Sequence, residues 1–140
     1  MHAVMFEEKV DEIVSENPRY PKEAYLFLRE ALAATQKSLG RDTKDRDKHV
    51  TGQELVTGIR NFALDQFGPM TMTVFEEWGI RTCEDFGEMV FALVAKGVLG
   101  KTDRDSRADF VDGYSFEDAF RKPFLPQKSV TLSPAPVKTQ

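Results

Sequence analysis

The segment 82–120, TCEDFGEMVFALVAKGVLGKTDRDSRADFVDGYSFEDAF, constrains the fold of this 140-residue chain most strongly. Its first part has the apolar spacing of an amphipathic helix and stops at Gly97, and glycine is the usual residue just past a helix end. Two short apolar runs, 98–101 and 108–111, then flank a polar turn, and this pattern predicts a β-hairpin. Because a winged helix ends with a helix followed by a hairpin, the segment predicts a winged-helix-like fold.

Apolar residues at helical spacing predict five helices before the hairpin. The first stops before Pro18, the second runs from Pro21 to Gly40, and capping boxes begin the third at Thr51 and the fifth at Thr82. The sequence therefore predicts a mostly α fold, α+β in class, of about five helices with a C-terminal β-hairpin. The residues expected to form its core are Tyr25, Leu28, Leu32, Leu55, Ile59, Phe62, Phe75, Trp78, Phe86, Val90, Leu93 and Phe116.

Length and composition predict one domain followed by a tail. Hydrophobic residues make up 41% of the chain, which is enough for one core without disulfides. From Pro123 onward the sequence is rich in Pro, Ser, Thr and Lys and poor in apolar residues, a composition typical of disorder. We therefore expect a single helical winged-helix-like domain over residues 3–124 and a disordered Pro/Ser/Thr-rich tail over residues 125–140.

The cysteine content and the first residues favour a cytoplasmic location. Cys83 is the single cysteine, so an internal disulfide is excluded, as expected in a reducing compartment. The first twelve residues, MHAVMFEEKVDE, lack the basic and apolar regions of a secretory signal. The chain also lacks a run of about 18 apolar residues, so no membrane span is predicted.

The sequence contains no pattern that predicts a catalytic or metal centre. The acidic triplets that begin at Asp45 and Asp103 lack the Gly and Glu that an EF-hand loop needs at its sixth and twelfth positions. His49 and Cys83, with His2 near the terminus, are too few for a zinc site or a convincing nucleophile–base pair. We therefore predict a protein that is not an enzyme and that uses no cofactor or metal.

The charge of the fifth predicted helix argues against binding of this helix in the DNA major groove. In a winged helix the helix before the wing enters the major groove and exposes Arg, Lys, Asn or Gln. The expected solvent side here carries Glu84, Asp85 and Glu88 instead, and the whole chain has a net charge of −4. Carboxylates repel phosphates, so the fold class by itself does not predict DNA binding.

Five stretches of the chain together resemble a known family: PKEAYLFLREAL, HVTGQELVTGIRNFALDQFG, WGI, DFGEMVFALVAKGVL and DFVDGYSFEDAF. They are similar to the Minf-type family of uncharacterised bacterial proteins, and the similarity covers about residues 6–124. The family is a domain of unknown function, so the resemblance implies a shared fold in a bacterial protein. It implies no catalytic residue, cofactor or partner.

These observations favour a small cytoplasmic, non-catalytic protein-interaction or adaptor module with an unknown protein partner. The alternative is association with nucleic acid (RNA, a ribosome or DNA) through basic residues of the charged loop 41–49 and the wing, together with the lysine-bearing tail. This alternative uses only basic residues. The candidate contact residues of the protein-interaction module lie on the fifth helix, the wing and the loop. They are Glu84, Glu88, Arg104, Arg107, Arg41, Lys44, Arg46 and Lys48.

Overall fold

The computed structural model describes residues 3–40, 50–99, 110–111 and 113–126 of the chain. Five α-helices follow one another: α1 (Ala3–Glu16), α2 (Lys22–Ser38), α3 (Gly52–Phe67), α4 (Thr71–Glu77) and α5 (Cys83–Ala95). A single 3-10 turn, Gly68–Met70, joins α3 to α4. The described chain ends in two short helical turns, Glu117–Arg121 and Lys122–Phe124, which we call the C-terminal turns.

The predicted C-terminal β-hairpin and the winged-helix-like fold are wrong. The residues that the structure describes form helices, turns and loops and contain no β-strand, so the fold is all-α. Val98 and Leu99 form a bend after α5, and Phe110 and Val111 form a turn. The rest of the predicted hairpin, residues 100–109, lies outside the described part of the chain.

A helix end explains why the first apolar run is not a strand. Gly97 adopts a positive φ of 76°, and its N–H donates to the carbonyl of Val94 at 2.9 Å. The N–H of Val98 donates to the carbonyl of Leu93, also at 2.9 Å, which completes a Schellman motif. Val98 and Leu93 are both buried. Val98, the apolar residue after the glycine, is therefore part of the C-terminal end of α5 and not of a β-strand.

The predicted start of α3 is confirmed. The backbone N–H of Glu54 donates to the Thr51 hydroxyl at 3.1 Å, and the N–H of Thr51 donates to the Glu54 carboxylate at 3.0 Å. These reciprocal bonds satisfy two N–H groups that a helix start leaves without helical partners. The start of α3 is therefore encoded locally in four consecutive residues.

The predicted core is largely confirmed. Eight of its twelve residues are buried, and the other four are partly buried against the same cluster: Leu32, Phe62, Trp78 and Val90. Phe75 of α4 is fully buried at the centre of the aromatic residues. Its ring centroid lies 5.5 Å from that of Phe86 in α5 and 5.3 Å from that of Phe120 in the C-terminal turns. One aromatic core therefore joins the middle of the chain to its C-terminal turns.

Helices α2 and α3 approach each other closely where Gly58 faces Thr35. Thr35 is buried, and its hydroxyl donates to the carbonyl of Ala31 at 2.7 Å. A Cβ atom added at Gly58 would lie 1.8 Å from Oγ1 of Thr35. The absence of a side chain at Gly58 thus sets the spacing of the two helices.

Replacing Gly58 with alanine is expected to lower the free energy of unfolding by about 1–3 kcal/mol, because the overlap with Thr35 forces the helices apart. This loss outweighs the roughly 0.5–1 kcal/mol that alanine gains over glycine inside a helix. Urea denaturation measures it, with Thr57→Ala, an exposed change on α3, as the matched control. A Gly58→Ala variant as stable as that control would contradict the close contact between α2 and α3.

Within the described ranges, no helix is both long enough and apolar enough to cross a membrane.

The described chain ends at Pro126, and Phe124 and Leu125 expose close to half of their surfaces. Residues 127–140, most of the predicted tail, lie outside the described part.

Candidate protein-interaction surfaces

Two of the eight predicted contact residues lie on described surface. Glu84 and Glu88 are exposed one turn apart on α5, as the helical spacing predicted. The predicted loop contacts Arg41, Lys44, Arg46 and Lys48 and the predicted wing contacts Arg104 and Arg107 lie outside the described residues.

Asp85 does not face solvent, contrary to the prediction, and is only 8% exposed. Its Oδ1 accepts hydrogen bonds from the Tyr20 hydroxyl at 2.5 Å and from the Arg19 guanidinium at 3.0 Å. Its Oδ2 accepts from the backbone N–H groups of Arg81 at 2.7 Å and Thr82 at 3.1 Å. Through these hydrogen bonds Asp85 links the connection between α1 and α2 to the start of α5.

The hydrogen bonds of Asp85 keep its carboxyl group ionised. Burial alone would raise the pKa of this group, but the hydrogen bonds that it accepts and the nearby Arg19 guanidinium lower the pKa below its usual range. A carboxylate whose lone pairs are used in this way does not act as a general acid or base near neutral pH. Its role in the structure is to position the helix start.

Cys83 is a packing residue. Its side chain is buried, its Sγ donates to the carbonyl of Tyr114 at 3.6 Å, and burial raises the pKa of the thiol. A Cβ atom added at Gly113 would lie 2.5 Å from Sγ, so the backbone packs directly on the sulfur. Tyr114 in turn donates its hydroxyl hydrogen to the carbonyl of Val56 at 2.6 Å, which holds this segment against α3. Low reactivity is expected of a thiol in this environment.

The described residues contain no group of three or more His, Cys, Asp or Glu side chains placed to hold a metal ion.

The acidic side chains of α1 form ion pairs with lysines of other segments. Lys22 lies 3.5 Å from Glu7 and 3.3 Å from Asp11. Lys96, just after α5, lies 3.4 Å from Glu12 and bonds Glu16 at 3.0 Å. These lysines partly neutralise α1, so its carboxylates are less suited to contacting a partner.

A shallow groove between α2 and α3 has aromatic walls. Phe27 is buried at its floor, and its ring centroid lies 5.5 Å from the centroids of Phe62 and Phe67, both half-buried. Trp78 supports the floor, 5.6 Å from Phe27 and 6.0 Å from Phe67. We call this the aromatic groove; its volume is about 270 Å³, and it is lined by Glu23, Leu26, Phe27, Glu30, Phe62, Gln66 and Phe67.

The rim of the aromatic groove is negative. Glu23 and Glu30 are exposed on α2 about two turns apart, on either side of Phe27. None of the described residues that line the groove is basic. This surface was not predicted from the sequence, although the spacing Glu23, Phe27, Glu30 places all three side chains on one face of a helix. That spacing is the sequence signal that could have found it.

Two larger cavities lie elsewhere on the described surface. The first, about 500 Å³, lies between the end of α2 and α3 and includes Ser38, Thr57 and Asn61 among its lining residues. The second, about 480 Å³, we call the apolar pocket. It is lined by Phe6, Leu28, Arg29, Leu32, Ala33, Gln36, Leu55, Leu93, Val98 and Leu99.

Comparisons with known proteins do not assign this arrangement to a family. No protein-family model matches the chain, and neither the curated proteins nor the solved structures contain a match to it. The resemblance to the Minf-type family therefore stays a prediction, and the chain is characterised by its own geometry: an all-α fold with an acid-rimmed aromatic groove.

Proposed function

We propose that this protein is a non-catalytic protein-interaction module whose aromatic groove binds a basic, amphipathic segment of a partner protein. The observation that carries the proposal is that the partly exposed rings of Phe62 and Phe67 line the same groove as the exposed carboxylates of Glu23 and Glu30, and that none of the described lining residues is basic. The proposal therefore specifies the chemical character of the partner, which the sequence alone left unknown: a basic, amphipathic segment.

The shape and chemistry of the aromatic groove support a peptide ligand. Its volume of about 270 Å³ is below the roughly 300–1,000 Å³ of sites that hold small molecules. A groove of this size accommodates side chains that project from an amphipathic helix. Aromatic ring faces attract Lys and Arg, and aromatic residues are enriched at the centres of protein interfaces. The carboxylates at the rim add charge complementarity with a basic segment.

The charge of the described surface disfavours the alternative, association with nucleic acid. Sixteen acidic and ten basic side chains belong to the part of the chain that the structure describes. Phosphate-backbone binding requires clustered Lys and Arg. The basic candidates for such contacts, Arg41 to Lys48 and Arg104 with Arg107, are outside this part, so nucleic-acid binding is retained as an outcome of the test.

Titration with a short Lys/Leu amphipathic peptide tests the proposal. Trp78 is the single tryptophan of the chain and packs on Phe27 and Phe67, so its fluorescence reports on the groove. We expect saturable binding of the Lys/Leu peptide and none of a Glu/Leu peptide with the same pattern. The double charge reversal Glu23→Lys with Glu30→Lys should weaken binding by at least about tenfold, because two favourable charge contacts become repulsive.

The matched control is the double reversal Glu84→Lys with Glu88→Lys, which makes the same change of net charge on α5. It should leave the affinity within about twofold. If this control weakens binding and the groove variant does not, the predicted acidic face of α5 is the contact surface and the groove proposal is wrong. Tighter binding of an RNA or DNA oligonucleotide than of the peptide, lost steeply with salt, would favour the alternative instead.

A further inference from the structure

The apolar pocket is a separate site on a different face of α2. It lies between α1, α2, the start of α3 and the end of α5, and its volume of about 480 Å³ falls within the range of small-molecule sites. The side chains at its floor, Phe6, Leu28, Leu55 and Leu93, are buried members of the core. An apolar ligand placed there would extend the core outward.

Among the described residues that line the apolar pocket, Arg29 is the single charged one. Its guanidinium lies 4.8 Å from the centre of the Phe6 ring, at the edge of the apolar floor. Among the described interactions of Arg29 there is this ring contact and no ion pair with a carboxylate. The other lining residues are apolar except Gln36, which lies two turns after Arg29 on the same helix.

We infer that the apolar pocket binds an amphipathic monocarboxylate, a molecule of the medium-chain fatty acid class. Its hydrocarbon chain would cover the floor formed by Leu28, Leu55 and Leu93, and its carboxylate would pair with Arg29. Charge complementarity carries this choice, since the planar guanidinium matches a carboxylate with two parallel hydrogen bonds. The site is independent of the aromatic groove, whose rim is negative.

Calorimetric titration of the full chain with decanoate tests the inference. We expect one saturable site, and no comparable site for decyltrimethylammonium, which has the same chain length and the opposite charge. Arg29→Gln should weaken decanoate binding by at least about tenfold, because the loss of a charge-assisted contact exceeds about 1.4 kcal/mol. Lys37→Gln, the matched loss of a positive charge at an exposed site of α2 outside the pocket, should change the affinity by less than about twofold.

Two further measurements locate the ligand. Ala33→Trp places a large ring in the pocket and should abolish decanoate binding while thermal unfolding stays cooperative. In the unaltered protein, amide resonances shifted by decanoate should cluster at the lining residues. The inference is overturned by non-saturable uptake, by equal binding of the cationic amphiphile, by unchanged affinity in Arg29→Gln, or by resonance shifts confined to another surface.

Discussion

Replacing Phe75 with alanine is expected to lower the free energy of unfolding by about 3–5 kcal/mol, the largest single effect predicted for this chain. Phe75 is 0% exposed and contacts rings from α2, α5 and the C-terminal turns. Its ring centroid lies 5.6 Å from those of Phe27 and Phe116. Truncation leaves a cavity at the point where these elements meet, and each ring loses a favourable edge or tilted contact.

Urea denaturation followed by circular dichroism measures this effect. Phe124→Ala is the matched control, because it removes the same ring from a position that is 44% exposed. We expect the control to change stability by less than about 1 kcal/mol. Phe75→Leu should fall between the two, since leucine fills part of the space. A loss below about 1 kcal/mol for Phe75→Ala would show that the aromatic rings do not meet around this side chain.

Replacing Asp85 with asparagine is expected to destabilise the protein by about 2–4 kcal/mol at neutral pH. The amide retains the shape of the side chain but loses the charge that strengthens its hydrogen bonds with Tyr20 and two backbone N–H groups. A hydrogen bond to a charged group contributes about 1.5–3 kcal/mol to stability, net of the water contacts that it replaces. The Arg19 partner adds little, because its side chain is 57% exposed and exposed ion pairs contribute at most about 1 kcal/mol.

The effect of Asp85→Asn should depend on pH in a definite direction. The pKa of Asp85 is lower in the folded protein than in the unfolded chain. At acidic pH the folded state therefore binds fewer protons than the unfolded state does. The stabilisation is fully present above the unfolded pKa of about 3.9 and is lost as the pH falls through the lower folded pKa. The stability difference between the wild type and Asp85→Asn should therefore be largest near pH 7 and shrink below about pH 4.

Urea denaturation at several pH values checks both the size and the direction. Glu84→Gln is the matched control, an exposed carboxylate next to Asp85, and should change stability by less than about 0.5 kcal/mol at neutral pH. A stability difference for Asp85→Asn that grows on acidification would contradict the buried, ionised carboxylate.

The sequence determined the helical elements because their signals are local. The capping box at Thr51 consists of four consecutive residues, and Gly97 ends α5 where the sequence placed the stop. The apolar stripes also predicted most of the core, since a residue on the apolar face of an amphipathic helix has one direction in which to be buried. Phe75, Phe86 and Leu93 were identified in this way.

The conformation of the described residues in the two short apolar runs that were predicted as strands, 98–101 and 108–111, depends on tertiary contacts. Val98 suits a strand by its β-branched side chain, but here its N–H closes the end of α5 and its side chain packs in the core. Phe110, in the second predicted strand, is buried against Gly87, where an added Cβ atom would lie 2.9 Å from its ring. A run of four residues does not distinguish a strand from a buried turn, because both satisfy the same apolar pattern.

The candidate sites depended on tertiary structure even more. Asp85 has the spacing of a capping residue, but Tyr20, which donates a hydrogen bond to its carboxylate, lies 65 positions earlier in the sequence. The aromatic groove needs Phe27 of α2 beside Phe62 and Phe67 of α3, and the short distance between Gly58 and Thr35 brings those helices together. The sequence by itself fixes which residues lie on one helix face. Which faces meet is decided by close packing between elements distant in the chain, and that packing creates the surfaces available for binding.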